Sequence, residues 1–327
     1  MMQPLLEIKN LEVQYITGNS KAYALNGINL QIGKGEAFGL VGEAGAGKTT
    51  TALSILNLLP TPAGKIIDGE ILFEGQSVFK MSKKELMDLR GNKVSMIFQN
   101  PLTSLNPVFT IGEQIAMVLR KHEGMNNTQA VKRAGELLEI VGIPANRVSE
   151  FPNQFSGGMR QRVGIAAALA CNPALLIADE PTTALDVTIQ AQILELMKDL
   201  QKQFSSSLLM ITHNLGIIAE ICQKVAVMYA GVIVEYGTVR EVFRNPIHCY
   251  TRGLIGALPK LSGPRETLTA IPGSVANPEK LPAGCKFHPR CALCATQCKT
   301  EEPPMVRVND DHFVAGFNCV EGIIDHE

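Results

Sequence analysis

A glycine-rich stretch near the start of the chain has the residue types and the spacing of a phosphate-binding loop. Residues 42–49 read Gly-Glu-Ala-Gly-Ala-Gly-Lys-Thr and fit the pattern G-x-x-x-x-G-K-[ST]. An apolar run precedes them and a segment with helical spacing follows, so the context is strand, loop and helix. Glycines let backbone N–H groups approach phosphate oxygens, the Lys48 ammonium adds charge, and the Thr49 hydroxyl can be a ligand of Mg²⁺. The stretch predicts a nucleotide site.

A second helix start, at Ser156-Gly157-Gly158, predicts another place where an anion could bind. The first N–H groups of a helix and a serine hydroxyl both suit phosphate oxygens. The alternative is a plain N-cap by Ser156. Because the glycine loop already accounts for one triphosphate, a composite site shared between two phosphate-binding elements stays open.

Polar residues follow three apolar segments that we predict to be buried strands. Ligands of open α/β sheets bind beyond the carboxyl ends of the strands, so these residues are candidates for a common site. Gln99 could contact Mg²⁺ or an attacking water, Asp179 could orient Mg²⁺ through water, and Glu180 could polarise a nucleophilic water. His213 could hydrogen-bond a γ-phosphate. Taken alone, Gln99 would be a loop amide and His213 a helix cap.

Two tyrosines, Tyr15 and Tyr23, precede the glycine loop at a distance where an aromatic ring could stack on a base. For each of them the alternative is a tyrosine on the face of a strand.

The cysteines are concentrated at one end of the chain. Of the eight, five fall in the last 43 residues: Cys285, Cys291, Cys294, Cys298 and Cys319. In a reducing compartment such a group indicates a metal site rather than a disulfide framework. Residues 260–327 also hold too few apolar side chains for a core of their own, and a segment of that kind usually needs a metal. A Cys₄ zinc site and an iron–sulfur cluster both remain open.

Composition excludes several classes of protein. With 46% hydrophobic residues and a net charge of −1, the chain shows neither the signs of disorder nor a basic field for nucleic acid. No uninterrupted apolar run reaches the length of a membrane span, and the first residues lack the features of a signal peptide. We therefore expect a soluble chain in the cytoplasm.

The remaining pattern alternates strands with helices. A capping box at Ser82 predicts the start of a short helix. Stretches with helical period at 111–121 and 128–141 predict a helical insertion between two halves of a sheet, and a further helix is predicted over 162–171. A Pro- and Gly-rich linker follows at 259–284.

In this order the motifs resemble those of the ATP-binding cassette (ABC) ATPases. The Walker A loop is 42–49, Walker B ends in Asp179 and Glu180, and the signature is Phe-Ser-Gly-Gly-Met-Arg-Gln at 155–161. Gln99 stands in the Q-loop position, residues 183–186 in that of the D-loop, and His213 in that of the switch histidine. The signature departs from the usual Leu-Ser-Gly-Gly-Gln at Phe155 and Met159, whereas its Ser-Gly-Gly core is kept.

The resemblance implies an α/β fold: a P-loop NTPase (RecA-like) core with an antiparallel β subdomain, a helical insertion at about 100–160, and a small Cys-rich extension. The expected domains are an ABC ATPase domain over 1–258 and the extension over 259–327. It implies a catalytic set of Glu180, His213 and Gln99, and Mg²⁺ ligands at Thr49, Gln99 and Asp179. The implied nucleotide-binding residues are Tyr15, Gly42, Glu43, Ala44, Gly45, Ala46, Gly47, Lys48, Thr49, Thr50, Gln99, Asp179, Ser156, Gly157, Gly158 and Asp186.

The extension resembles that of peptide-importer ATPases in the spacing x₅, x₆, x₂₀ of four cysteines, Cys285, Cys291, Cys298 and Cys319. This likeness implies a [4Fe–4S] cluster on the four, with zinc as the alternative. Cys294 is an extra thiol, either a bystander or an alternative ligand. The runs at 99–107 and 245–251 are also similar to the dipeptide/oligopeptide importer subgroup, although nickel importers share the core pattern.

The resemblance thus implies an ATPase subunit that powers peptide import from the cytoplasmic face of the membrane as a peripheral protein. Its cofactors would be ATP with Mg²⁺ and the cluster. Its partners would be a homologous ATPase in a heterodimer, two transmembrane permease subunits and an extracytoplasmic peptide-binding protein, with no nucleic acid. The alternatives are the same role in a nickel or other small-solute importer, and a soluble ABC ATPase that acts outside transport.

Overall fold

The computed structural model describes residues 3–99, 104–183, 185–258, 270–317 and 319–320. The chain divides into two compact units. The first unit comprises the described residues of 1–31, 38–79 and 212–327, and the second those of 32–37 and 80–211.

Strands and helices alternate along most of the chain. The strands are β1 (Leu6–Thr17), β2 (Ser20–Ile32), β3 (Ala37–Val41), β4 (Gly64–Phe73), β5 (Gln76–Ser77), β6 (Val94–Ile97), β7 (Leu175–Asp179), β8 (Ser207–Thr212), β9 (Lys224–Tyr229), β10 (Val232–Thr238), β11 (Met305–Asn309) and β12 (His312–Ala315). The helices are α1 (Lys48–Ile55), α2 (Lys83–Leu89), α3 (Ile111–Glu123), α4 (Asn127–Ile140), α5 (Gly157–Leu169), α6 (Val187–Phe204), α7 (Leu215–Ile221), α8 (Val239–Arg244) and α9 (Cys249–Gly256).

The first unit contains two sheets. One has the strand order β2-β1-β4-β5, with β4 antiparallel to both β1 and β5. The other runs β11-β12-β10-β9-β3, where β3 and β9 are parallel and the other pairs are antiparallel. All five residues of β3 are buried, and six residues, 42–47, separate the end of the strand from the start of α1 at Lys48. The predicted order of strand, glycine loop and helix is therefore confirmed.

The second unit contains the parallel strands β8, β7 and β6, in that order. Helices α3 and α4 match the predicted helical stretches to within two residues at each end. Their starts are set by side chains, because Thr110 accepts a hydrogen bond from the Glu113 N–H and Asn126 forms a capping box with Gln129. Their apolar faces, which include Ile115, Leu119 and Leu138, are buried.

The predicted helix start at Ser156-Gly157-Gly158 is confirmed: α5 starts at Gly157, and Ser156 caps it by accepting a hydrogen bond from the Met159 N–H. The bounds predicted for this helix, 162–171, therefore began five residues too late. The C-terminal extension also contains two strands for which no prediction was made: β11 and β12 form a hairpin, and β12 pairs with β10. Part of the predicted linker, 259–269, lies outside the described residues.

None of the helices in the described ranges is long and apolar enough to cross a membrane.

Candidate functional site

Two positions of the glycine loop, Gly42 and Gly47, require glycine for steric reasons. A Cβ on Gly42 would lie 2.1 Å from the carbonyl oxygen of Met228 in β9. Gly47 has φ +104° and a Cβ there would lie 2.6 Å from the carbonyl oxygen of Ala24 in β2. Both positions therefore exclude any side chain, and the loop is held close to two neighbouring strands.

Lys48 lies inside the loop rather than in solvent. Its side chain is buried, and its Nζ donates to the carbonyl oxygens of Gly42 at 2.7 Å and Glu43 at 3.1 Å. Thr49 is exposed beside it, at the N-terminus of α1. The arrangement presents a positive charge, a hydroxyl and the first N–H groups of a helix on one loop, which is the chemistry that a phosphate chain requires.

Of the two candidate tyrosines, Tyr15 lies beside the helix that follows the loop. Tyr15 lies within β1, and its hydroxyl is 3.3 Å from Oγ1 of Thr50. The backbone N–H of Tyr23 donates to the carbonyl oxygen of Pro278, at 2.8 Å. Tyr15 and Thr50, both predicted as nucleotide-binding residues, are thus in contact.

In the second unit, Gln99 and Glu180 are in direct contact. The Gln99 Nε2 donates to the Glu180 Oε2 at 3.0 Å, and the Thr183 hydroxyl donates to the same oxygen at 2.9 Å. The Glu180 backbone has φ +46° and its N–H donates to the carbonyl oxygen of Ile211 at 2.8 Å. A non-glycine residue with positive φ at the end of a strand is a strained conformation of the kind found at active sites. Asp179, the last residue of β7, is buried.

The signature and D-loop residues have structural partners of their own. A Cβ on Gly158 would lie 2.6 Å from Cγ2 of Ile189 in α6, so α5 and α6 approach closely at this point. Asp186 caps α6 by accepting a hydrogen bond from the Ile189 N–H at 3.0 Å. Ser156 and Gly157, like Asp186, are exposed.

His213 is exposed and directly follows β8. The residue after it, Asn214, is the N-cap of α7 and accepts a hydrogen bond from the Gly216 N–H at 2.9 Å. The capping role therefore belongs to Asn214.

The four cysteines predicted as ligands are brought together. Cys285, Cys291, Cys298 and Cys319 line one cavity, and Cys249 lines it too. Cys249 was missed because it lies 36 residues before Cys285 and belongs to no short cysteine motif. The only signal in the sequence is that it is a thiol close to the start of a predicted extension.

We call the space lined by Cys249, Cys285, Cys291, Cys298 and Cys319 the cysteine cavity. Its surroundings shift the pKa values of several of these thiols. Burial raises the pKa of Cys285, and raises that of Cys319 to about 11. A hydrogen bond from the Cys291 thiol to Cys249 lowers the pKa of Cys249 to about 6 and raises the pKa of Cys291. Metal binding here would displace thiol protons.

The donor set fits a metal that prefers thiolates, such as zinc or the iron of an iron–sulfur cluster. In the part of the chain that the structure describes, no three His, Cys, Asp or Glu side chains are already arranged around a single ion position.

Comparison with known proteins defines the class of protein. Residues 25–183 match the family described as ABC transporter, and residues 234–298 match the oligopeptide/dipeptide transporter, C-terminal region. Among solved structures, the dimeric post-hydrolysis state of the ATP-binding cassette MJ0796 bound to ADP and Pi is 30% identical. That structure superposes with a TM-score of 0.64 over 72% of this chain and 99% of its own.

Two relatives with similar sequences indicate a particular group within the ABC transporter proteins. The oligopeptide transport ATP-binding protein OppD of Bacillus subtilis (strain 168) is 52% identical, covering 96% of this chain and 88% of the relative. The dipeptide transport ATP-binding protein DppD of the same organism is 44% identical, covering 97% of this chain and 95% of the relative. The chain therefore belongs to the ABC transporter ATP-binding proteins, in the group with the oligopeptide/dipeptide C-terminal region. Members of this family are ATPases that use ATP and Mg²⁺ and are coupled to transport.

Proposed function

We propose that this chain hydrolyses ATP to power the import of oligopeptides or dipeptides, with Glu180 as the residue that polarises the attacking water. The observation that carries the assignment is the pair of hydrogen bonds from Gln99 and Thr183 to one carboxylate oxygen of Glu180. These bonds fix the side chain directly after the end of β7, where a carboxylate can polarise a water for phosphoryl transfer.

Several residues would share the binding of the nucleotide. Lys48 and the loop N–H groups would neutralise the phosphates, and Tyr15 would stack on the base. Thr49, Gln99 and Asp179 carry the oxygen donors that Mg²⁺ prefers and would hold the ion. Bound Mg²⁺ would neutralise charge that develops on the phosphate oxygens. His213 would hydrogen-bond the γ-phosphate.

We further propose that the chain pairs with a homologous ATPase, so that Ser156, Gly157, Gly158 and Asp186 face the partner's nucleotide. The dimeric state of the related cassette supports this arrangement. The names of the relatives support a role in the transport of peptides. We propose that the chain works at the cytoplasmic face of the membrane with two permease subunits and an extracytoplasmic peptide-binding protein. The helical insertion would dock on the permeases. The ATPase domain would cover 1–258 and the extension 259–327.

The test is a Glu180→Gln variant. We expect it to bind ATP like the original protein and to lose activity by about 100-fold or more, since a positioned general base contributes that much. Glu195→Gln is the matched control, because Glu195 is an exposed carboxylate on α6. Unchanged ATPase activity in Glu180→Gln would overturn the assignment.

A second experiment distinguishes peptide from nickel as the substrate. In vesicles that contain the permeases, we expect peptide to stimulate the ATPase activity and nickel to leave it unchanged.

We also propose that Cys285, Cys291, Cys298 and Cys319 hold a [4Fe–4S] cluster. Their convergence on one cavity supports it. When bound, the cluster would cross-link an extension that has few apolar contacts of its own. Iron and sulfide should appear in equal amounts in protein purified without air, with visible absorbance. If the protein instead contains one equivalent of zinc and no iron, the cluster proposal is wrong and the site is a zinc site.

A further inference from the structure

Glu43, the second residue of the glycine loop, is held by two side chains from the C-terminal half of its own unit. Its carboxylate receives a forked pair of hydrogen bonds from Arg290, with Nη1 2.7 Å from Oε2 and Nη2 3.3 Å from Oε1. Its backbone N–H donates to the hydroxyl of Tyr250 at 2.8 Å. Both the side chain and the backbone of this loop residue are therefore fixed from outside the loop.

Arg290 is itself rigidly held. Its side chain is 5% exposed, and its Nε donates to the carbonyl oxygen of Pro272 at 2.9 Å. Its Nη2 lies 3.4 Å from the carbonyl oxygen of Ile271, and its guanidinium lies 5.7 Å from the centre of the Tyr229 ring and 5.8 Å from that of Phe287. A planar guanidinium with this many fixed partners is a precise support for a carboxylate.

Tyr250 is equally constrained. Its ring is fully buried and packs against Tyr229 at 4.8 Å and Phe287 at 5.4 Å between centroids. Burial raises the pKa of its hydroxyl, which therefore stays neutral. Tyr250 follows Cys249 in the chain and Arg290 precedes Cys291, so the two supports lie on the same segments that bring two thiols into the cysteine cavity.

The contacts continue from Glu43 to the phosphate-binding lysine. The carbonyl oxygen of Glu43 accepts a hydrogen bond from the Lys48 Nζ, so displacement of Glu43 would move the ammonium. Arg290 also neutralises a carboxylate on a loop that must receive a polyanion. Without Arg290, Glu43 would place an uncompensated negative charge beside the phosphates.

We propose that Arg290 and Tyr250 are positioning residues for ATP: they hold Glu43 and thereby set the loop, and Arg290 also cancels the Glu43 charge. No sequence motif of the ATPase core includes either residue. The inference rests on the proposed function, because it assumes that residues 42–49 bind the phosphates of ATP.

The test compares ATP affinity, measured with a fluorescent ATP analogue on the full chain, in single and double variants. We expect Arg290→Gln to raise the Kd about tenfold, from charge repulsion in a partly exposed site. In a Glu43→Gln background, the same Arg290→Gln substitution should raise the Kd by less than about threefold, since the repelling charge is gone. If the Arg290→Gln effect is equally large with and without the Glu43 carboxylate, the proposal is wrong.

Further variants separate positioning from general damage to the fold. Tyr250→Phe keeps the buried ring and removes only the acceptor, so KM for ATP should rise while kcat stays within about twofold. Arg290→Lys should recover part of the affinity. Lys286→Gln removes an ion pair with the exposed carboxylate of Glu302 in the same extension and should leave the Kd unchanged. A Tyr250→Phe variant with the original KM would also contradict the proposal.

Different results would refute the proposed ATPase function and the positioning role of Arg290 and Tyr250. If the original chain neither binds nor hydrolyses ATP, the proposed function fails. If it does both, Glu180→Gln abolishes turnover, and Arg290→Gln binds ATP normally, only the positioning role fails.

Discussion

Replacement of Gly158 by alanine should destabilise the protein, although alanine is the better helix former. Gly158 lies in the first turn of α5, and a Cβ built there would be 2.6 Å from Cγ2 of Ile189. The clashing atom is a methyl group on a branched Cβ, so it cannot move away by rotation at the far end of a flexible side chain. Either Ile189 must leave its rotamer or α5 and α6 must separate.

The magnitude follows from two opposing contributions. Replacing glycine by alanine inside a helix stabilises by about 0.5–1 kcal/mol. Forcing an extra methyl group into a packed contact costs about 1–3 kcal/mol. The net expectation for Gly158→Ala is a loss of up to about 2.5 kcal/mol in the free energy of unfolding, with a midpoint of about 1 kcal/mol. The matched control is Gly164→Ala on the same helix, where a Cβ would meet nothing within 4 Å, and it should stabilise by about 0.5–1 kcal/mol.

The assay is urea unfolding followed by circular dichroism. The free energies of unfolding of the variants are compared with the same value for their dependence on urea concentration. The cost at Gly158 should disappear in an Ile189→Ala background, because the clashing methyl group is then absent. If Gly158→Ala is as stable as Gly164→Ala, or if Ile189→Ala does not relieve it, the close approach of the two helices is wrong. Loss of nucleotide binding in a Gly158→Ala variant of normal stability would instead show a role in contact with phosphate.

Two further predictions concern the C-terminal half. Burial lowers the pKa of His248 from 6.5 to about 4, so between these pH values the unfolded chain binds a proton that the folded chain does not. The free energy of unfolding should therefore fall as the pH drops, by up to about 3 kcal/mol near pH 4. His248→Asn keeps an acceptor for the Tyr250 N–H and should remove this part of the pH dependence in urea titrations; an unchanged dependence would contradict it. Separately, Cys249→Ser should keep the iron content of anaerobically purified protein and Cys291→Ser should lose it, whereas equal loss in both would make Cys249 a ligand.

The local parts of the fold were predictable because neighbouring residues determine them. The capping box at Ser82 was predicted from four residues, and it is found: the Glu85 N–H donates to the Ser82 hydroxyl and the Ser82 N–H to the Glu85 carboxylate. The order of strand, loop and helix around 42–49 was predictable for the same reason. Each of these features needs only contacts within a few residues.

Long-range contacts account for what was missed. Strand β11 alternates between exposed and half-buried residues and has no strong apolar face of its own, so its pairing partner β12 decides its structure. Val314 and Val320 are buried against Ile247, which lies far away in sequence. Likewise, the sequence predicted a helix start at 156–158, but only the close approach of Ile189 explains why a glycine is needed at Gly158.

The glycine loop shows most clearly where motif-based inference ends. The pattern G-x-x-x-x-G-K-[ST] leaves four positions unspecified, and its chemistry comes from backbone N–H groups, a lysine and a hydroxyl. Glu43 occupies one of the unspecified positions, so the pattern gives no reason for a carboxylate beside a site for polyanions. The structure supplies one: the charge is paired with Arg290, and the backbone is tied to Tyr250. A substitution at Glu43 should therefore be judged together with the residue at position 290, since the Glu43 carboxylate repels the phosphates of ATP when Arg290 no longer compensates its charge.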